Sequence, residues 1–148
     1  SRGAAAATLL DADASVLARA RATATARGES GRVMLLDRDA TAPGPAPRRH
    51  DLAFLDPPYH AGLAGPALAA LAAEGWLAPR ALVALECAAR GPEPEPPAGF
   101  ERLMVGGYGA ARVVLRRAPS RRATVAPHAF TCYRESDPRH SRPAAGAP

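Results

Sequence analysis

A carboxylate, two rigid prolines and an aromatic ring follow one another at Asp56-Pro57-Pro58-Tyr59. The apolar run before them, Leu52-Ala53-Phe54-Leu55, reads as a buried parallel strand. A Pro-Pro pair can continue neither a helix nor a central strand, so the chain must leave the sheet in extended form there. In an open α/β sheet, ligands bind where the strands end. These four residues suit the grip of a planar base that carries an exocyclic amine. The Asp56 carboxylate and the Pro57 carbonyl can accept the two N–H bonds of that amine, and the Tyr59 ring can stack on the base. The plain alternative is a strand-to-loop turn with a surface Tyr.

The elements that position the motif follow from pattern and punctuation. Residues 4–10 read as a strand that ends at Asp11, and a helix runs from there to about Ala26. Asp13 or Ser15 can cap that helix and Gly28 can stop it. Residues 32–36 form a second strand, closed by Asp37-Arg38-Asp39. Residues 41–50, with three Pro and a Gly, form a loop, and residues 51–55 are the motif strand. A helix over residues 62–73 tolerates Pro66 near its first turn. Residues 75–79 read as a turn, residues 81–86 as an apolar strand and residues 91–99 as a Pro-rich loop. Residues 100–105 and 111–115 flank Gly106-Gly107-Tyr108-Gly109, a hairpin signature. This order indicates an α/β sheet, mostly parallel, with a C-terminal antiparallel hairpin. Asp11 then stands at a strand end, where a carboxylate can accept two hydrogen bonds from a ribose diol. It could equally be a helix cap or a solvated acid.

Composition sets limits on partners. The 148 residues suit one domain, and only 5% are aromatic, so Ala, Leu and Val must build the core. Every basic residue is Arg, and seven of the 19 lie in residues 116–148, which carry the whole net charge of +5. The basic balance therefore belongs to the tail, and phosphate binding elsewhere needs a local patch. Residues 118–148 are rich in Pro, Arg, Ser and Ala and read as a disordered tail; residues 1–117 read as the catalytic domain. Cys87 and Cys132 form no CxxC pair, and the four His show no zinc spacing, so no metal is expected. No signal peptide and no membrane-spanning run is visible, which points to a monomeric cytoplasmic protein.

Taken with their flanks, these residues resemble the RsmD family of 16S ribosomal RNA (guanine-N2)-methyltransferases. The matching pieces are Ser1-Arg-Gly-Ala, Asp11, Asp39-Ala40, Asp51 to Tyr59, Gly75-Trp-Leu-Ala-Pro79, the strand ending in Glu86, and Tyr108 to Leu115. The Asp-Pro-Pro-Tyr stretch alone marks the wider class of amino-methyltransferases; the order and spacing of the rest point to this family. The resemblance implies a Rossmann-like sheet and S-adenosylmethionine as cofactor. It implies that Asp11 binds the cofactor ribose, and that Asp39, followed by Ala40, faces the adenine; Asp37 competes for that role. It implies that Asp56, Pro57, Pro58 and Tyr59 hold the target base, with 16S ribosomal RNA or the small ribosomal subunit as partner. Glu86 falls at a frequent family acid position, or is a buried structural carboxylate.

The chemistry stands beside the resemblance. The lone pair of a guanine amine is delocalised into the ring, so the amine is a poor nucleophile. Two acceptors orient that lone pair and stabilise the positive charge that develops on nitrogen. Alignment with the methyl donor supplies much of the remaining rate. A stacked base must leave its stack to reach the site. The family's first strand and its Gly-rich cofactor loop normally come just before Ser1-Arg-Gly. That strand lies between the strands represented here by residues 4–10 and 51–55. Its absence is expected to leave both with unpaired edges, and the chain poorly stable and weak in cofactor binding. Three other readings stay open: adenine-N6 methylation of DNA or RNA, a non-catalytic nucleic-acid-binding fragment, and an NAD-type enzyme. The last has no GxGxxG to support it.

Overall fold

The computed structural model describes residues 3–58 and 62–120. Strand β1 (Ala7–Asp11) leads into helix α1 (Ala14–Ala26). The Asp13 carboxylate accepts from the Ser15 N–H at 2.7 Å and caps α1. Gly28, at φ +69°, takes the left-handed conformation that ends it. A short 3-10 turn (Ser30–Arg32) leads to strand β2 (Val33–Asp37). Strand β3 (His50–Leu55) carries the motif, and helix α2 (Ala64–Ala73) follows with Pro66 in its first turn. Strands β4 (Leu77–Ala88), β5 (Glu101–Tyr108) and β6 (Ala111–Arg117) complete the fold.

The described strands form two sheets, and β1 and β3 are unpaired to each other as expected. β1 pairs β2 in parallel, and a four-stranded sheet runs in the order β3-β4-β6-β5. β3 and β4 are parallel, while β4 with β6 and β5 with β6 are antiparallel. The fold is therefore α/β with mixed sheets rather than a mostly parallel one, because the terminal hairpin adds two antiparallel ladders. No ladder joins the two sheets, and β1 and β3 are each an edge strand among the described residues.

One core holds these pieces. Leu55, Val83 and Leu85 of β3 and β4 lie beneath Leu68 and Leu71 of α2, and Leu10 and Leu36 of the smaller sheet pack against the same cluster. Strand alternation turns the next row the other way. Phe54, Ala84, Leu115 and Met104 stand in register across the sheet, and Phe54 is 77% and Met104 54% exposed. Trp76 is buried beside the core; its indole N–H donates to the Gly44 carbonyl at 2.8 Å and pins the loop before β3.

Several element ends shift by a few residues: β5 runs on through Gly106, Gly107 and Tyr108, which were expected in the hairpin loop, and two other boundaries carry a structural reason. Residues 77–79 were expected in a turn but open β4. Arg80 has φ +62°, and the register jumps from His50–Leu77 to Leu52–Leu82, so Pro79 sits in a bulge where its missing N–H costs no ladder bond. At the other end, the Ala118 N–H donates to the Ala81 carbonyl and the Pro119 carbonyl accepts from Arg80, so the start of the expected tail packs on β4. Residues 121–148 of that tail lie outside the described residues.

Two measurements test this core. Leu68 is fully buried, so Leu68→Ala should cost about 2–5 kcal/mol in a denaturant titration. His50 stacks on Trp76 with ring centroids 6.2 Å apart, and burial holds its imidazole below the ordinary 6.5. The unfolded chain takes up that proton first, so stability is complete above about pH 6.5 and declines as pH falls toward the depressed value. The melting temperature should drop between pH 7.5 and 5.5, and His50→Phe should flatten the drop.

Candidate active site

β3 ends where its sequence requires. Leu55 is buried under α2, whereas Asp56 and Pro58 are exposed and Pro57 is half-buried. Neither proline can donate to β4, so the ladder stops and Asp56 is presented at the carboxyl end of the strand. Tyr59, the ring expected to stack on a base, lies outside the described residues. A cavity of about 390 Å³ opens beside the motif, and Pro57, Pro58, Gly65, Glu86, Arg90 and Glu95 are among the residues that line it. Its floor is the end of β4 and one wall is the start of α2. Its other wall is the irregular segment after β4, which approaches α2 closely: a Cβ on Gly65 would stand 3.7 Å from the Glu95 carbonyl oxygen.

The sequence reading missed that second wall. Residues 91–99 do form a loop, as expected, but their Pro-rich extended path builds half of the cavity. The signal was present in Arg90, Glu93 and Glu95, charged residues spaced among prolines beside a strand end.

The other acids stand at the ends of the smaller sheet. Asp11 is half-buried, and one of its carboxylate oxygens accepts from the Asp13 N–H at 2.8 Å, at the start of α1. The strand register places Asp37 directly beside Asp11. Asp39 lies two residues further on, in the loop, and is exposed. Its Oδ1 accepts from the Thr41 N–H at 2.7 Å and from the Thr41 hydroxyl at 2.8 Å. These bonds hold its carboxyl below the ordinary carboxylate range. Ala40 turns inward and packs on the core. Leu10, Leu36 and Leu55, each preceding an acid, meet at that one core, so Asp11, Asp37 and Asp56 all leave it from a strand end. The motif cavity is lined by Pro57 and Pro58 but by none of Asp11, Asp39 and Asp56, and Asp56 stands next to it as the neighbour of Pro57. Glu86 lines it from β4, half-buried.

Residues 1–117 match the family model described as Conserved hypothetical protein 95. The chain belongs to this family, the RsmD-like methylases. Three solved structures share its fold. A candidate methylase from Haemophilus influenzae superposes with a TM-score of 0.71 at 25% identity, covering 80% of this chain and 75% of that one. A candidate methyltransferase from Escherichia coli gives 0.71 at 26% identity, over 82% and 68% of the two chains. A conserved hypothetical protein from Streptococcus pyogenes gives 0.67 at 25%, over 79% and 74%. No curated protein matches the sequence. The α/β fold is thus that of the methyltransferases, and Asp11, Asp37 and Asp56 stand at the carboxyl ends of its strands. No helix among the described residues is long and apolar enough to cross a membrane.

The Asp39 turn has a direct test. Thr41→Val removes the hydroxyl donor and keeps the backbone one, so the Asp39 carboxyl should titrate closer to the ordinary value of 3.8. Carbon-13 NMR of the Asp side chains reads that shift.

Proposed function

We propose that this family member transfers a methyl group from S-adenosylmethionine to the exocyclic N2 amine of a guanine in 16S ribosomal RNA. One observation carries the reading: β3 delivers Asp56 and Pro57 to a strand end beside a cavity, in a chain of the methylase family. The target amine is held by the Asp56 carboxylate and the Pro57 carbonyl, which together accept its two protons and aim its lone pair outward. Pro58 stiffens the backbone behind them, and Tyr59 supplies the stacking surface for a base taken out of its helix.

The cofactor supplies an electrophilic methyl on a positive sulfur when bound. The donors present fit it in part. Asp11 has one carboxylate oxygen engaged by the Asp13 N–H, which leaves the second for a ribose hydroxyl. Asp39 likewise keeps its second oxygen free of Thr41, and Ala40 anchors the turn that carries it toward the adenine. Asp37, beside Asp11, can share the ribose. An additional extended strand between the β1 and β3 edges would join the two sheets into one. The small ribosomal subunit is the partner of this reaction.

The test is methyl transfer by the protein. Small ribosomal subunits, naked 16S RNA and DNA are each incubated with methyl-labelled S-adenosylmethionine, and the nucleosides are resolved by mass. N2-methylguanosine in the RNA is expected, and N6-methyladenine in DNA alone would sink the reading. Asp56→Ala should lower the rate by about 10²–10³-fold, as for loss of one preorganised partner of a developing charge.

A further inference from the structure

A second cleft lies across the wall of the motif cavity. It is open, of about 480 Å³, and is lined by Glu93, Arg102, Arg112 and the strand β5 residues between them. Glu93 lines both cavities, so the segment after β4 separates two adjoining spaces. Charge is unbalanced on the far side. Arg116 is buried and its guanidinium donates to Glu93; Arg102 donates to the other oxygen of the same carboxylate at 3.3 Å. Arg112 has only a long bond to the Gly91 carbonyl, at 3.4 Å. Glu93 thus pairs with two guanidinium groups, and Arg112, on the lining of the same cleft, adds a third positive charge. Arg112 Nε and Arg116 Nε are both buried without a hydrogen-bond partner among the described residues. Glu86 and Glu95 line the motif cavity and not this cleft, and the Arg117–Glu101 pair balances itself at 3.1 Å.

Surplus positive charge on arginines that line an open cleft suits an anion with several acceptor oxygens. We infer that the Arg102–Arg112 cleft binds a backbone phosphate of the RNA whose base enters the motif cavity. The inference rests on the RNA reading above and adds a positioning site to it. Glu93 pairs with Arg116 and Arg102 but carries one charge for the two, so Arg102 keeps further N–H donors and Arg112 its whole charge for the phosphate. A strand whose base enters one cavity carries its backbone over the shared wall to the other. Such a contact fixes register without reading sequence.

The experiment is RNA binding by the full chain at several salt concentrations, with a labelled guanine-containing RNA hairpin as probe. Arg102→Gln and Arg112→Gln are compared with the unaltered chain, and far-UV circular dichroism checks their folding. Arg102 is 60% exposed and supports no core contact, so its variant folds even where Arg112→Gln does not. Each variant should weaken binding about three- to ten-fold, equally for hairpins of different sequence. The slope of log K against log salt should become shallower by about 0.7 per lost phosphate contact. Unchanged affinity and slope in folded Arg102→Gln, while the unaltered chain binds RNA, would overturn this inference and leave the RNA reading standing. Failure of the unaltered chain to bind RNA would overturn both. A parallel titration with inorganic phosphate distinguishes the source of the anion: loss of phosphate binding in the variants with RNA binding intact would assign the cleft to a free anion and overturn the RNA assignment.

Discussion

Burial of Leu55, Val83 and Leu85 under α2 is the contact on which the rest of the molecule depends. It fixes the parallel register of β3 on β4, and with it the height at which Asp56 emerges. A slip of one residue would turn Phe54 inward and Leu55 out, and would carry the acid to the other face. The same contact draws Leu10 and Leu36 against the cluster, which is what brings the smaller sheet to the larger one. Few large side chains are available for this in a chain with 5% aromatic residues, and the core is built from aliphatic groups of nearly uniform size. Trp76 is the exception, and it fastens the loop before β3 rather than the sheet itself.

The site is assembled from strand ends and one irregular segment, and the two are held by different physics. Strand ends are positioned by ladders and burial. The segment after β4 has no ladder; it is held by the Glu93 carboxylate, gripped by Arg116 and Arg102, and by close approach of its backbone to Gly65. A buried ion pair of this kind adds little net stability against apolar packing, yet losing one partner strands the other charge in the interior. Its value here is geometric: it sets where the wall between the two cavities stands.

Much of this was legible in the chain, and the illegible parts share a cause. Asp13 before an Ala-rich run and Pro66 in a first turn are local signals, and their helices stand where those signals put them, whereas the Gly-rich stretch announced the hairpin but not that Gly106, Gly107 and Tyr108 belong to its strand. The four-residue motif falls at a strand end for the equally local reason that proline has no N–H. The start of β4 was hidden, because its bulge depends on Arg80 meeting the Pro119 carbonyl, about forty positions away. The cavity wall was hidden too, since nothing in a Pro-rich stretch announces that Arg116 will grip Glu93. The division into two sheets could be anticipated from the resemblance to the family, not from periodicity, which treats every strand alike.

The clamp at Trp76 also makes the molecule self-reporting. It is the single indole in the chain, and its environment is composed of three distinct parts: the Gly44 carbonyl, the His50 ring and the apolar core. Ultraviolet emission therefore comes from one defined place, between the base of the motif strand and the helix that covers it. Loosening of the loop, titration of the imidazole and opening of the core each alter that emission in a different way. One optical signal can then follow, in order, the events by which the motif strand is released.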